Sequence, residues 1–119
     1  MSSMSVVVVT IGRNYGSVAG IDAGRPMPGW RWLEFKRAVL GTVSALGHVI
    51  QSPKLDEESA QHGIWDGSVE DAASFIVLDT HPERAASVTE ALGHLAARYR
   101  QDAIGYIIGE SVLVEHAKQ

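Results

Sequence analysis

Val6–Ile11 is a run of six β-branched residues, VVVVTI. Branching at Cβ restricts χ1 in a helix and packs well on a pleated surface, so the run predicts a strand. Its apolar side chains sit at consecutive rather than alternate positions. Both faces of the strand must therefore be covered, which makes it a central strand of a sheet. A second segment of the same character, ASFIVLDT at residues 73–80, predicts a neighbour for it.

The remaining periodicities place helices around these two strands. Trp32, Phe35, Val39, Val43 and Leu46 recur at intervals of three and four, the stripe of an amphipathic helix. That helix should start after Pro28-Gly29 and stop at Gly47, with Lys36 and Arg37 off the stripe. Val88, Ala91, Leu92, Leu95 and Tyr99 form a second stripe, begun by Pro82 and Glu83 with Thr80 or His81 as cap. HVIQS (48–52) reads as a short strand, and the acidic stretch 53–63 as a loop. GIWDG (63–67) either resumes that strand past a bulge or forms a separate edge strand. Residues 102–116 read as one strand kinked at Gly109, or as two short ones.

The order strand, helix, strand, strand, helix, strand predicts an α+β class. It is the ferredoxin-like split βαββαβ plan: an antiparallel sheet, two helices on one face and an extra C-terminal strand. At 119 residues this is a single domain over 1–119. Two helices cover one face of the sheet, yet both faces are apolar. A homodimer or higher homo-oligomer is therefore expected.

Composition narrows the partners. The net charge of −4 argues against nucleic acid or an anionic membrane as partner. Through Lys54 the chain has six basic and two acidic residues, +4; from Leu55 onward it has four basic and twelve acidic, −8. A small anion site near the first half, neighbouring subunits that attract, or chance would each produce that asymmetry. No cysteine is present, so there is neither a disulfide nor a thiolate. The five histidines are scattered, which predicts no metal site, and no cofactor is expected. Apolar runs are far shorter than the ~20 residues of a membrane span, and no secretory leader is visible; a cytoplasmic protein is expected.

Glycines at 12, 16, 20 and 24 follow the first strand. Neither the Walker pattern nor the dinucleotide pattern is present, because no Lys follows and no helix starts directly. Residues 15–28 then read as a lid, mobile when empty, whose glycines tolerate replacement by alanine. Arg13 and Asn14 stand at the end of the central strand, where side chains converge on ligands. Arg13 offers a planar fork for phosphate or carboxylate, and Asn14 both a donor and an acceptor. Arg25 lies in the lid. Trp65 is placed to stack on a ring. Arg98 and Gln101 lie at the end of the second helix, where Arg98 and Arg100 also suit the helix dipole. Each of these residues has a plain structural reading as well, as surface Arg, turn Asn or helix-end charge. No recognised nucleophile context is present.

The segments VTIGRN…G…PM…W…F, GIWDG and YRQDAIG, in that order, resemble the anti-Thoeris sponge proteins of bacteriophages. The resemblance implies an oligomer that sequesters cyclic ADP-ribose or a cyclic nucleotide without catalysis. Arg13, Asn14, Arg25, Trp65, Arg98 and Gln101 are of the residue types such a ligand requires. The competing expectation is a cofactor-independent monooxygenase or isomerase on a dimeric ferredoxin-like barrel.

Overall fold

The computed structural model describes residues 3–55, 62–65, 68–112 and 114. Five strands and two α-helices follow in order: β1 (Ser3–Gly12), α1 (Gly29–Val43), β2 (Gly47–Gln51), β3 (His62–Trp65), β4 (Ser68–Asp79), α2 (Ala85–Arg98) and β5 (Gly105–Val112). All pairings are antiparallel, and the sheet order is β2-β4-β1-β5 with β3 on β4. This is the split βαββαβ arrangement, with β1 and β4 central as their continuous apolar character requires.

Register places Val7 opposite Val77, Val9 opposite Phe75 and Ile11 opposite Ala73, and all six are buried. With period-two alternation, these residues form the helix-side face of the sheet. Trp32, Phe35, Val39, Val43 and Leu46 meet them, joined by Val88 and Leu92 from α2. The Phe35 and Tyr99 rings stack at 4.6 Å, tying α1 to the end of α2. Val6, Val8, Ile76 and Leu78 point the other way and are partly exposed.

Several local expectations are corrected. Lys36 lies on the buried side of α1, 1% exposed, with its ammonium over the Trp32 ring and donating to the Lys54 carbonyl (3.4 Å). Its long apolar stem lets it pack in the core while the head finds polar partners. Helix α1 ends at Val43, three residues before Leu46, in a turn that still buries Leu46. Neither Thr80 nor His81 caps α2 through its side chain, because a 3-10 turn, Pro82–Arg84, precedes the helix. Of the two alternatives for GIWDG the separate edge strand holds, with Gly63–Trp65 in β3, but its pairing with Ser68–Asp71 starts β4 before ASFIVLDT. β5 runs through Gly109 with unbroken register against β1, so no kink forms there. The additional C-terminal strand falls on residues outside those described, apart from exposed Val114.

Candidate functional site

The glycine-rich segment is built rather than open. Its two ends pair: Met27 N donates to the Arg13 carbonyl (3.0 Å), Tyr15 N to Arg25 (2.8 Å) and Gly24 N back to Tyr15 (2.8 Å). Between them Ser17–Asp22 form a 3-10 turn, and Tyr15, Ala19 and Met27 are buried. The expectation that these glycines accept alanine is corrected on two grounds. A Cβ on Gly16 would stand 2.6 Å from both the backbone nitrogen and the carboxyl carbon of Asp102. Gly24 has φ +81°, a conformation that L side chains rarely adopt.

This segment docks on the chain that leaves α2. Gly16 N donates to the Arg100 carbonyl (2.9 Å), while the Asp102 carboxylate accepts from Ser17 N (2.9 Å), Ser17 Oγ (2.8 Å) and Val18 N (3.3 Å). The Ser17 backbone donor, foremost among these, holds the Asp102 carboxyl below its ordinary value. Helix α2 itself closes in a Schellman motif: Gln101 N donates to the Ala96 carbonyl (2.8 Å) and Arg100 N to Ala97 (3.2 Å). The left-handed residue of that motif is usually glycine, but here it is Arg100, with φ +53°. A large side chain in this region is uncommon. The Arg100 guanidinium lies over the Tyr15 ring (4.4 Å to its centre) and pairs with Asp22 (3.2 Å).

Beneath this rim a cleft of about 600 Å³ opens between α2 and the start of β5, within the range usual for small-molecule sites. Thr89, Leu92, Gly93, Ala96 and Ala97 form its α2 wall, where Gly93, Ala96 and Ala97 have small side chains or none. Ile104 and Tyr106 line it from the β5 side, and Val18 from the 3-10 turn. Its polar rim is Arg100, Gln101 and Asp102. The cleft thus has an apolar body, with Arg100 among its polar lining residues. The Tyr106 hydroxyl is buried with no hydrogen-bond partner among the described residues, as is Asp79 Oδ1. Burial, and then the Asp79 charge, push the Tyr106 phenol above its ordinary value, so it stays a neutral hydroxyl.

The residues singled out in the sequence divide around this cleft. Gln101 lines it, 8% exposed, and its Nε2 donates to the carbonyls of Asn14 (3.1 Å) and Tyr99 (3.3 Å). Asn14 therefore supports the cleft through its backbone, and its own N donates to the Glu70 carboxylate (2.7 Å). Arg13 turns its fork elsewhere: Nε donates to the Met27 carbonyl (2.7 Å) and Nη1 pairs with Asp71 (3.0 Å), leaving the side chain 13% exposed. Arg25 is exposed on the docked segment. Arg98 is exposed, near Glu34 (3.6 Å) and the Tyr99 ring. Trp65 has its backbone in β3; its side chain lies outside the described residues. Arg100 as the rim cation and Tyr106 were missed. The available signal was YRQ at the end of α2 with no glycine, where a helix stop calls for one.

Glu70, hydrogen-bonded to Asn14 N, is the one carboxylate among the described residues whose affinity for a proton is raised. Burial is the main cause, opposed by the Asn14 N–H and reinforced by neighbouring Asp71. Among the described residues no group of three His, Asp or Glu side chains is arranged to hold a metal, and no helix is long and apolar enough to cross a membrane.

No protein-family model and no curated protein matches the chain. A solved structure, a phage SAM lyase in complex with S-methyl-5'-thioadenosine, is 17% identical, with a TM-score of 0.49 over 90% of this chain and 81% of that one. A likeness at that level transfers neither ligand nor reaction.

Proposed function

We propose that this chain binds a small anionic, nucleotide-derived ligand in the α2–β5 cleft and sequesters it without chemical change. The observation that carries the reading is the apolar cleft with Arg100 among its lining residues, the guanidinium resting on Asp22 and over the Tyr15 ring, so that an anion bound there displaces Asp22. A guanidinium fork suits a phosphate, and the wall of Gly93, Ala96 and Ala97 suits a flat ring. Gln101 is held beside the cleft by donating to the Asn14 carbonyl, and Arg13 at the next position ties that segment to Met27. Arg25 and Arg98 add exposed positive charge, and Trp65 is a further ring for stacking. The ligand class expected from the sequence, cyclic ADP-ribose or a cyclic nucleotide, fits this description.

The same reading includes a homo-oligomer. Val6, Val8, Ile76 and Leu78 on the face away from the helices are partly exposed, and Ile107 beside them is exposed. A second copy covering that face supplies what two helices on the other side do not.

Calorimetric titration with ADP-ribose, cyclic nucleotides and S-methyl-5'-thioadenosine tests the proposal. The anionic compounds should bind and the uncharged thioadenosine more weakly. No heat with any of them at millimolar concentration refutes it. Glu70, with its raised proton affinity, favours the second reading, a small-molecule isomerase or monooxygenase. Mass spectrometry and chromatography of the recovered ligand separate the two: unchanged ligand supports sequestration, and an isomer or oxidised product supports catalysis.

A further inference from the structure

The sheet ends on one side in an unprotected strand. β5 holds the outer position in the order β2-β4-β1-β5, and among the described residues only β1 pairs with it. A strand at an edge turns a row of backbone N–H and C=O groups outward. Such edges are normally blunted by a proline, a lysine, a bulge or short length. Gly105–Val112, GYIIGESV, has none of these: it runs for eight residues in unbroken register with β1. Its centre is apolar on both faces. Ile107, opposite Val8, is 58% exposed on the face away from the helices, and Ile108, opposite Val7, is 68% exposed on the helix side.

We propose that the β5 edge is a joint between two copies of this chain, with β5 antiparallel to the partner's β5 about a two-fold axis at Ile107. The strand itself identifies the occupant. A two-fold axis perpendicular to the sheet keeps each face on its own side, so the axis passes beside a residue that meets its own counterpart. Outward from Ile107 the chain reads Ile108 and Gly109 in one direction, Tyr106 and Gly105 in the other. Ile107 then meets the partner's Ile107, Tyr106 meets the partner's Ile108, and Gly105 meets the partner's Gly109. Pairs of an aromatic with a β-branched residue are among the favourable cross-strand contacts, and like charges directly opposite are unfavourable. Glu110 is the one charged residue of the strand. About the Ile107 axis the two Glu110 residues stand six positions apart, about 20 Å at about 3.4 Å per residue. An axis at Ile108 would instead set Tyr106 against the partner's Glu110, and an axis at Glu110 would set charge against charge. The joint uses the edge rather than the outer sheet face, and it requires no ligand in the cleft.

The chain has no cysteine, so a single introduced thiol can react only with its own counterpart. Ile107→Cys and Glu110→Cys each place one at an exposed position. Residues directly opposite across a strand pair have Cβ atoms about 4.5–5.5 Å apart, close to disulfide reach. Copper-phenanthroline oxidation should convert Ile107→Cys to a covalent dimer and leave Glu110→Cys a single chain on a denaturing gel. Equal crosslinking of the two, or none in Ile107→Cys, overturns the joint. Sedimentation equilibrium separates the edge from the outer face. The parent should sediment at about 26 kDa, twice the 12.8 kDa of one chain, or at a multiple of it. Ile108→Lys adds a charge on the helix side of the edge, where it leaves the outer face untouched. Its mass should fall by half with an unchanged far-ultraviolet circular dichroism spectrum. The cysteine variants decide alone if this variant does not fold. A parent that sediments as one chain at 100 micromolar overturns the proposal and leaves the edge to a strand of another protein. A folded Ile108→Lys with the parent's mass also overturns it, and assigns the association to the outer face instead.

Discussion

Gly93 separates the cleft from the fold more cleanly than any other residue. It lies within α2, on the cleft wall, and a Cβ built on it meets no atom within 4 Å. Glycine in a helix interior costs about 0.8–1 kcal/mol relative to alanine, chiefly through backbone entropy. Nothing in the surroundings offsets that gain, so Gly93→Ala should stabilise the protein by about 1 kcal/mol. For a chain of this size the melting temperature should rise by about 4 °C. Gly93→Leu keeps most of the helical gain and adds three further carbons. In a helix they lean back toward the preceding turn, over Thr89, which also lines the cleft. The leucine variant should then melt above the parent yet bind ADP-ribose at least tenfold more weakly. Calorimetric scans and titrations of the three proteins, side by side, are the assay. Unchanged affinity in a stabilised leucine variant would falsify the placement of the ligand in this cleft. A lowered melting temperature in the alanine variant would show that the space beside Gly93 is not open.

Gly16→Ala should act in the opposite sense: its Cβ has no room against Asp102, and overpacking of this kind costs about 1–3 kcal/mol. Urea unfolding measures it, and an unchanged midpoint refutes the docking of the glycine-rich segment on residues 100–102. Arg100→Gly should leave the melting temperature close to that of the parent, because glycine is at ease in the left-handed position that Arg100 occupies. Affinity for ADP-ribose should nonetheless fall by about tenfold or more, and titration showing parent-like affinity removes Arg100 as the anion contact. Glu70 has a folded pKa raised by burial, so the folded protein binds its proton more tightly than the unfolded chain does. Its charged form disfavours folding at neutral pH, and that effect fades as pH falls through the folded value and below the ordinary 4.5. Glu70→Gln should therefore melt above the parent at pH 7, with the gap closing toward pH 4.5; a gap constant with pH contradicts the raised pKa.

The architecture was legible because two segments left little choice. Val6–Ile11 and Phe75–Leu78 are apolar at adjacent positions, and only the two central strands of a split βαββαβ sheet have both faces to fill. Helix stripes at Trp32–Leu46 and Val88–Tyr99 then had one place to go. The misreadings came where a residue answers to a tertiary partner rather than to its own neighbours. Lys36 looked solvated because its charge was read without its stem, and the ring of Trp32 together with the Lys54 carbonyl makes the buried position tenable. β4 began earlier than its hydrophobic run because β3 pairs with Ser68–Asp71, and the signal for that pairing, Asp66-Gly67 between the two segments, is a hairpin dipeptide rather than a hydrophobic run.

The site was legible only in part, and the reason is chemical. Arg13 and Arg100 carry the same side chain, and the sequence favoured Arg13 because it ends the central strand. Its fork instead meets Asp71 and the carbonyl of Met27, groups 58 and 14 residues away along the chain. Arg100 was read as a helix-end charge, which accounts for its sign but not for its backbone. Glycine is the residue that closes a Schellman motif without strain, and this chain has twelve glycines, three of them (Gly16, Gly20 and Gly24) at regular spacing in the segment that docks beside Arg100. A chain so rich in glycine that places arginine at a glycine position has given up local ease for a guanidinium at that point. The guanidinium lies over Tyr15 and against Asp22, so the contacts that hold the glycine-rich segment on the end of α2 are what offset the strained backbone at Arg100.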